Sequence, residues 1–142
     1  MIIRKIQILM DRRLFLQYKQ YINDLFNYMK RHGYTKGPAP SIVLNDTEQD
    51  CEEAFIRTGY YDPEKKSVTV FCNGRAIKDV LRSCAHEFIH HKQNVDGVIA
   101  KTNYTGDKIT EDKALINLEE EAYLKGNMGF RSWTEDAQKN RR

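Results

Sequence analysis

The sequence predicts an α+β fold, and two kinds of residue spacing predict it. In three segments, near residues 11–32, 76–95 and 110–134, apolar residues recur at three- and four-residue steps, which is typical of amphipathic helices. Between the first two segments, residues 41–73 carry short runs of β-branched and aromatic residues separated by turn residues. At 142 residues the chain is long enough to bury a core without metal or disulfide cross-links. We therefore expect a single domain over residues 1–142.

The first segment, residues 1–35, is predicted to contain one long helix. Tyr18, Ile22 and Leu25 lie on its apolar face, and Gly33 follows its last turn. The Gly-Pro-Ala-Pro sequence at 37–40 cannot continue a helix, because proline lacks the amide hydrogen that a helix needs. This sequence is therefore predicted to connect the helix to the next element.

Residues 41–73 are predicted to form a small, mostly antiparallel sheet of three strands. The strands are expected at 41–45, 54–61 and 67–72. Asp62-Pro63 is a turn sequence between the second and third strands, which indicates a hairpin.

The last helix, predicted at 110–134, begins near Thr110, a residue that caps helix N-termini well and is followed here by two acidic residues. Leu115, Leu118 and Ala122 form its apolar stripe. Residues 135–142 form a polar tail, and we expect its basic end, residues 138–142, to be frayed.

The composition argues against several classes of function. A net charge of +3, with no Lys/Arg stripe interleaved with aromatic residues, gives no reason to expect nucleic-acid binding. No apolar run is long enough to cross a membrane, and Arg4 and Lys5 interrupt the apolar start of the chain, so no secretory leader is expected. The three cysteines are an odd number without metal-ligand spacing, which is typical of reduced thiols. These features predict a cytoplasmic protein, and its oligomeric state stays open.

The residues that indicate chemistry are His86-Glu87-Phe88-Ile89-His90, in the middle of the predicted helix at 76–95. Residues four apart share one face of a helix, so His86 and His90 can offer two imidazoles to one metal ion. Glu87 then lies beside the ion, where a carboxylate can take a proton from an activated water molecule. The motif is short enough to arise by chance, so its context must support it.

A catalytic zinc ion usually has three protein ligands and one open position. The last helix offers three neighbouring carboxylates, Glu119, Glu120 and Glu121. Glu119 shares a face with Leu115 and Ala122, so we expect it to point inward as the third ligand. Glu120 and Glu121 are expected to point toward solvent or to support the site. An acidic patch in solvent is the alternative, and the choice among the three carboxylates stays open.

The motif at 86–90 and the Glu-Glu-Glu-Ala sequence at 119–122 together resemble the gluzincin branch of the zincin metallopeptidases. That branch combines His-Glu-x-x-His on one helix with a glutamate in a Glu-x-x-Ala or Glu-x-x-x-Asp setting on the next. The small members are the most similar, including phage-encoded and ImmA/IrrE-type peptidases. The resemblance implies a minimal zincin-like fold, with His86, His90 and Glu119 as ligands of Zn²⁺ and Glu87 as the general base.

The resemblance also implies that a peptide or protein substrate lies along residues 67–72, as an edge strand. The position four residues after Glu119, often Asp or Asn in such families, is Tyr123 here, so the group that orients a histidine must come from elsewhere. A further donor should stabilise the developing oxyanion. The candidates for this donor, or for a supporting role, are Tyr104, Tyr123, His91 and Arg131.

Three functions fit these observations. The first is a zinc peptidase that cleaves a narrow set of protein substrates. The second is a catalytically weak or inactive protein of the same fold, such as a phage or host factor, that acts by holding a partner. The third is an α+β interaction protein in which the His-Glu-x-x-His motif is accidental. The first is the function that we expect.

Overall fold

The computed structural model describes residues 1–6, 10–48, 58–101 and 113–140. These residues form an α+β structure with three α-helices and a four-stranded mixed sheet. The elements follow the order β1 (Ile3–Ile6), α1 (Arg12–Arg31), β2 (Ser41–Asn45), β3 (Gly59–Asp62), β4 (Ser67–Phe71), α2 (Ile77–Val95) and α3 (Lys113–Asn140), with a short 3₁₀ helix at Ile99–Lys101. The α+β class expected from the sequence is therefore confirmed.

The sheet differs from the predicted one in strand number and in strand direction. Its order is β1-β2-β4-β3, and β1, β2 and β4 run parallel to one another. Only β3 and β4 pair antiparallel, as the predicted hairpin around Asp62-Pro63 requires. The expectation of a three-stranded, mostly antiparallel sheet was thus wrong. The missed strand, β1, has the sequence Ile-Arg-Lys-Ile, which lacks the alternation that marks a half-buried strand.

The strand predicted at 67–72 is not an edge strand. It corresponds to β4, which lies between β2 and β3 and is hydrogen-bonded on both sides. A strand that is paired on both sides has no backbone groups left for an added peptide strand. Among the described strands, β3 has the outer position next to β4. Most of the predicted strand at 54–61 lies outside the described residues, apart from the beginning of β3.

The helix predicted near 11–32 is present as α1. Asp11 is its N-cap, and the Asp11 carboxylate accepts a hydrogen bond from the Leu14 amide at 2.8 Å. One face of α1 is buried against the rest of the domain, with Ile22, Leu25 and Met29 fully buried. The indole of Trp133, on α3, donates a hydrogen bond to the Asp24 carboxylate at 3.0 Å and so links α3 to α1.

Helix α2 matches the predicted helix at 76–95, and it is the central helix of the fold. Its buried side chains share one hydrophobic core with the inward residues of α1, the sheet and α3; those from α2 are Val80, Leu81, Cys84, Ala85, Phe88 and Ile89. The sheet contributes Ile42, Leu44, Val68 and Val70, all fully buried. The middle of α2 is therefore held by packing, and the side chains on its remaining face have defined positions.

Helix α3 extends beyond the predicted segment. The residues around Thr110, where the helix was predicted to begin, lie outside the described residues, and α3 is seen from Lys113 to Asn140. The predicted end of the helix at residue 134 was wrong, because the polar residues from 135, including the first three of those expected to fray, belong to α3 as far as Asn140. This end of α3 has no apolar stripe, but it contains residues of high helix propensity, Glu135, Gln138 and Lys139. The ion pair between Arg131 and Glu135 also stabilises it. Within the described part of the chain, no helix combines the length and apolar character needed to cross a membrane.

Candidate metal centre

The two histidines of the motif lie one turn apart on the face of α2 that is turned toward α3. Their ring centroids are 5.0 Å apart. The His90 side chain is almost completely buried, at 1% exposed, whereas the His86 side chain is 25% exposed. One ligand is thus held rigidly inside the domain, and the other lies at its surface, where a small molecule can reach the pair.

Glu119 on α3 completes the group. One oxygen of its carboxylate, Oε1, lies 2.9 Å from His90 Nε2, and the other, Oε2, lies 3.3 Å from His86 Nε2. The ligand atoms of the three residues all lie within 4.8 Å of one another. The structure therefore brings together the three residues that were predicted as metal ligands, and together they form a candidate metal site.

The other two carboxylates of the triplet have different surroundings. Glu120 is exposed. Glu121 Oε1 accepts a hydrogen bond from the Gln93 amide at 3.0 Å, and Glu121 Oε2 pairs with Lys125 at 3.2 Å. The question that the sequence left open is answered at the level of geometry, because Glu119 alone of the three reaches the histidines.

The separations between these atoms fit a single small cation. Two ligands of a tetrahedral zinc ion, at ordinary Zn–N and Zn–O bond lengths, lie about 3.3 Å from each other. The two measured N···O separations, 2.9 and 3.3 Å, are hydrogen bonds to the two different oxygens of Glu119, and they hold the three side chains close enough to share one cation. Two imidazoles and one carboxylate are also a donor set that divalent zinc accepts.

The electrostatics of Glu119 suit a metal ligand. Partial burial acts to raise the pKa of its carboxyl group, but the hydrogen bonds and charges of His86 and His90 outweigh this effect and lower the pKa of Glu119 to about 2. The carboxylate is thus ionised at neutral pH and can bind a cation without first losing a proton.

Glu87, the predicted general base, is buried beside His86. It is 6% exposed, and among the described residues its Oε2 atom is the one buried side-chain oxygen or nitrogen that has no hydrogen-bond partner. Burial is the main reason that the pKa of Glu87 is raised to about 8; the charge of Glu119 raises it further and that of His86 lowers it. A buried oxygen without a partner is costly, which indicates a position kept for a water molecule or a substrate.

Gln93 falls within a turn of His90, a position from which the sequence allows it either to line the cleft or to form part of a polar helix surface. It is buried at 3% exposed, and its Oε1 atom lies 2.8 Å from His90 Nδ1. Its Nε2 atom donates hydrogen bonds to the Leu118 carbonyl and to Glu121, both at 3.0 Å. Gln93 lies one turn after His90, and that spacing was the only indication of its position in the sequence.

Gly126 is a residue that the sequence did not mark as part of the site. A Cβ atom at this position would lie 2.9 Å from His86 Cα and 3.0 Å from His86 N. The absence of a side chain therefore lets the backbone of α3 touch the backbone of α2 at the first metal ligand. Ala122, one turn earlier and fully buried, extends the same narrow contact toward Glu119.

Two of the four candidates for an oxyanion donor lie away from the site. His91 is completely buried, and its ring nitrogens both bond elsewhere, Nδ1 with the Tyr61 hydroxyl and Nε2 with the Pro38 carbonyl, each at 2.8 Å. Arg131 pairs with Glu135 and lies twelve residues after Glu119, about 18 Å along the helix. The reason is that a helix carries neighbouring side chains to different faces and distant ones to different ends.

The other two candidates remain. Tyr123 lies one turn after Glu119 on α3 and is 69% exposed, so its hydroxyl is available to a molecule that approaches the carboxylate. Tyr104 lies outside the described residues.

Comparisons with known proteins found no relative: no family model, no curated protein and no solved structure matches the chain.

Proposed function

We propose that this protein is a zinc-dependent peptidase of the gluzincin type. The observation that carries the proposal is the convergence of His86, His90 and Glu119, from two helices, within 4.8 Å of one another. Two histidines and a glutamate are one of the ligand sets of catalytic zinc, and such sites keep an open position for water or substrate. The partial exposure of His86 and Glu119 provides the open side.

The cation, when bound, would supply Lewis acidity to a water molecule and to the carbonyl of the scissile peptide bond. The protein residues supply the proton transfers. In this proposal Glu87 accepts a proton from water and delivers it to the departing amine. Its position next to His86 in the sequence, and an Oε2 atom without a hydrogen-bond partner among the described residues, support this role. Positive charge beside Glu87 would lower its raised pKa and make it a base at neutral pH.

A second candidate function is a metal-containing protein of the same fold that binds a partner without cleaving it. The positions of His91 and Arg131, both away from the three ligands, favour this alternative, because they leave fewer groups to stabilise an oxyanion. In the peptidase proposal, the candidates left to stabilise the oxyanion are then Tyr123 and Tyr104.

Cleavage of a peptide library by zinc-loaded protein tests the proposal. We expect cleavage by the wild type, loss of cleavage in Glu87→Gln with zinc still bound, and normal cleavage in Glu120→Gln, the matched control at an exposed carboxylate. Zinc binding without cleavage in the wild type would favour the partner-binding alternative. Cleavage that persists in Glu87→Gln would contradict the assigned base.

A further inference from the structure

Gln93 lies buried between α2 and α3, and its side-chain amide has a determined orientation. The amide nitrogen lies 3.0 Å from the Leu118 carbonyl oxygen and 3.0 Å from Glu121 Oε1. A backbone carbonyl can only accept hydrogen bonds, so the atom of Gln93 that bonds to Leu118 must be its donor, the NH₂ group. The NH₂ group of Gln93 must therefore face α3, and its Oε1 atom must face His90.

This orientation of Gln93 determines that the nitrogen of the His90 ring facing Gln93 carries a hydrogen. Gln93 Oε1 lies 2.8 Å from His90 Nδ1 and can only accept, so Nδ1 must carry the hydrogen. A hydrogen on Nδ1 makes Nε2, the nitrogen that lies 2.9 Å from Glu119 Oε1, the ring atom that is available to bind a cation. The second nitrogen of a metal-bound histidine usually makes a hydrogen bond of this kind, which orients the ring and determines its tautomer.

We propose that Gln93 is a positioning residue that prepares His90 for metal binding and makes this preparation depend on the docking of α3. The same amide that accepts from His90 donates to two groups of the helix that carries Glu119. A shift of α3 would thus disturb the second and third ligands together. The inference rests on the proposed function for the metal, while the protonation of His90 follows from the protein alone.

The test compares Gln93→Leu with Asn94→Leu. Asn94 is the next residue on α2, and its amide also donates two hydrogen bonds, to the Tyr61 hydroxyl and the Pro63 carbonyl. The two variants therefore lose comparable groups, but the amide that hydrogen-bonds to the His90 ring is that of Gln93. Zinc affinity is measured by competition with a chromophoric chelator, and ¹⁵N NMR of the metal-free protein at pH 8 shows which ring nitrogen of His90 carries a proton.

We expect the dissociation constant for Zn²⁺ to rise about tenfold or more in Gln93→Leu, and His90 to lose the proton from Nδ1. Asn94→Leu should keep both the zinc affinity and the Nδ1 proton of the wild type, even if it unfolds more easily. Wild-type zinc affinity together with a protonated Nδ1 in Gln93→Leu would overturn the inference.

A second variant keeps the inference testable if Gln93→Leu does not fold. Gln93→Glu keeps an acceptor for His90 but loses both donated hydrogen bonds to α3, so we expect Nδ1 to stay protonated while zinc affinity falls. Loss of the Nδ1 proton in this variant would contradict the proposal. A wild-type protein that binds no zinc would contradict the proposed function, whereas Nδ1 protonation in the metal-free protein would still test the role of Gln93.

Discussion

At the scale of single residues, the three neighbouring glutamates of α3 differ in their surroundings, and only one of them reaches the histidines. Glu119 lies between His86 and His90, Glu120 is exposed, and Glu121 bonds to Gln93 and Lys125. A step of one residue turns a side chain by about a quarter to a third of a helical turn, so three similar residues have three different environments.

Substitution of these glutamates should therefore have unequal effects on metal binding. We expect Glu119→Gln to raise the dissociation constant for Zn²⁺ by about 100-fold or more, because a charged ligand becomes a neutral and weaker one. Glu120→Gln should leave the constant unchanged, because this carboxylate is exposed. Isothermal titration of each metal-free variant with zinc is the measurement, and equal affinities would contradict the assigned ligand.

The two cysteines that the structure describes should be chemically inert in the folded protein. Burial is the main cause that raises the pKa of the Cys72 thiol to about 11, and it also raises the pKa of Cys84, which is fully buried. The thiolate is the reactive form, so little of it is present at pH 8.

This inertness can be measured in a Cys51→Ser protein, since Cys51 lies outside the described residues. We expect Cys72 and Cys84 to react with a thiol reagent at least about 100-fold more slowly in the folded protein than in denaturant. Fast reaction of either thiol in the folded protein would show that the core around α2 opens easily.

At the scale of elements, the contact between α2 and α3 assembles the candidate site. The Gly126 position brings the two helix backbones together at His86, and Gln93 joins them again near His90. The third ligand, Glu119, lies on α3 between these two contacts, so its distance from the histidines depends on how closely α3 approaches α2.

Gly126→Ala tests this dependence. In an exposed helix interior, alanine is more favourable than glycine by about 1 kcal/mol. At position 126 the added methyl group would meet the backbone of His86, so we expect a loss of about 1–3 kcal/mol in the free energy of unfolding and weaker zinc binding. Thermal unfolding and zinc titration measure the two effects.

Leu124→Ala, at a 61% exposed position of the same helix, is the control and should change neither quantity much. Higher stability in Gly126→Ala than in the wild type would mean that α3 can move away from α2 without loss. The account of the helix contact would then be wrong.

The helices and the pair of histidines in the candidate metal site could be predicted from the sequence, because both depend on local spacing. The apolar residues of α1 and α2 recur with the period of a helix, and the two histidines are four residues apart. The order of the sheet depends on pairing between distant segments, which no local pattern records: β1 pairs with β2 across the whole of α1. The contacts that Gln93 and Gly126 make between the two helices were not predicted, for the same reason.

At the scale of the whole molecule, a chain of hydrogen bonds around His91 holds α2 to two other parts of the fold. Asn94 donates to the Tyr61 hydroxyl on β3 at 3.0 Å. Because the Pro38 carbonyl can only accept, His91 Nε2 donates to it, and Nδ1 therefore accepts from Tyr61. The histidine next to the second metal ligand is thus a neutral part of the scaffold that joins α2 to β3 and to the segment before β2.

This arrangement makes stability depend on pH in a defined direction. Burial is the main cause that lowers the pKa of His91 below the ordinary value of 6.5, so the folded protein resists its protonation while the unfolded chain does not. The contribution of neutral His91 to the free energy of unfolding is fully present when the pH is above the pKa of this histidine in the unfolded chain. The free energy of unfolding then falls as the pH decreases below about 6.5, by at most about 1.4 kcal/mol per pH unit for one proton.

Urea unfolding of metal-free wild type and His91→Gln between pH 7.5 and 5.5 measures this contribution. We expect the stability of the wild type to fall more steeply with acid than that of the variant, since glutamine takes up no proton. If the free energy of unfolding fell equally with decreasing pH in the two proteins, His91 would take up a proton as easily in the folded protein as in the unfolded chain.

The central claim is that two helices hold one divalent cation through His86, His90 and Glu119. Its most direct test is the metal content of the wild-type protein, purified without chelator and measured by elemental analysis beside a His86→Ala variant. We predict one zinc ion per wild-type chain and almost none in His86→Ala. A folded wild-type protein that holds no stoichiometric metal, and takes up none when zinc is added, would contradict the claim.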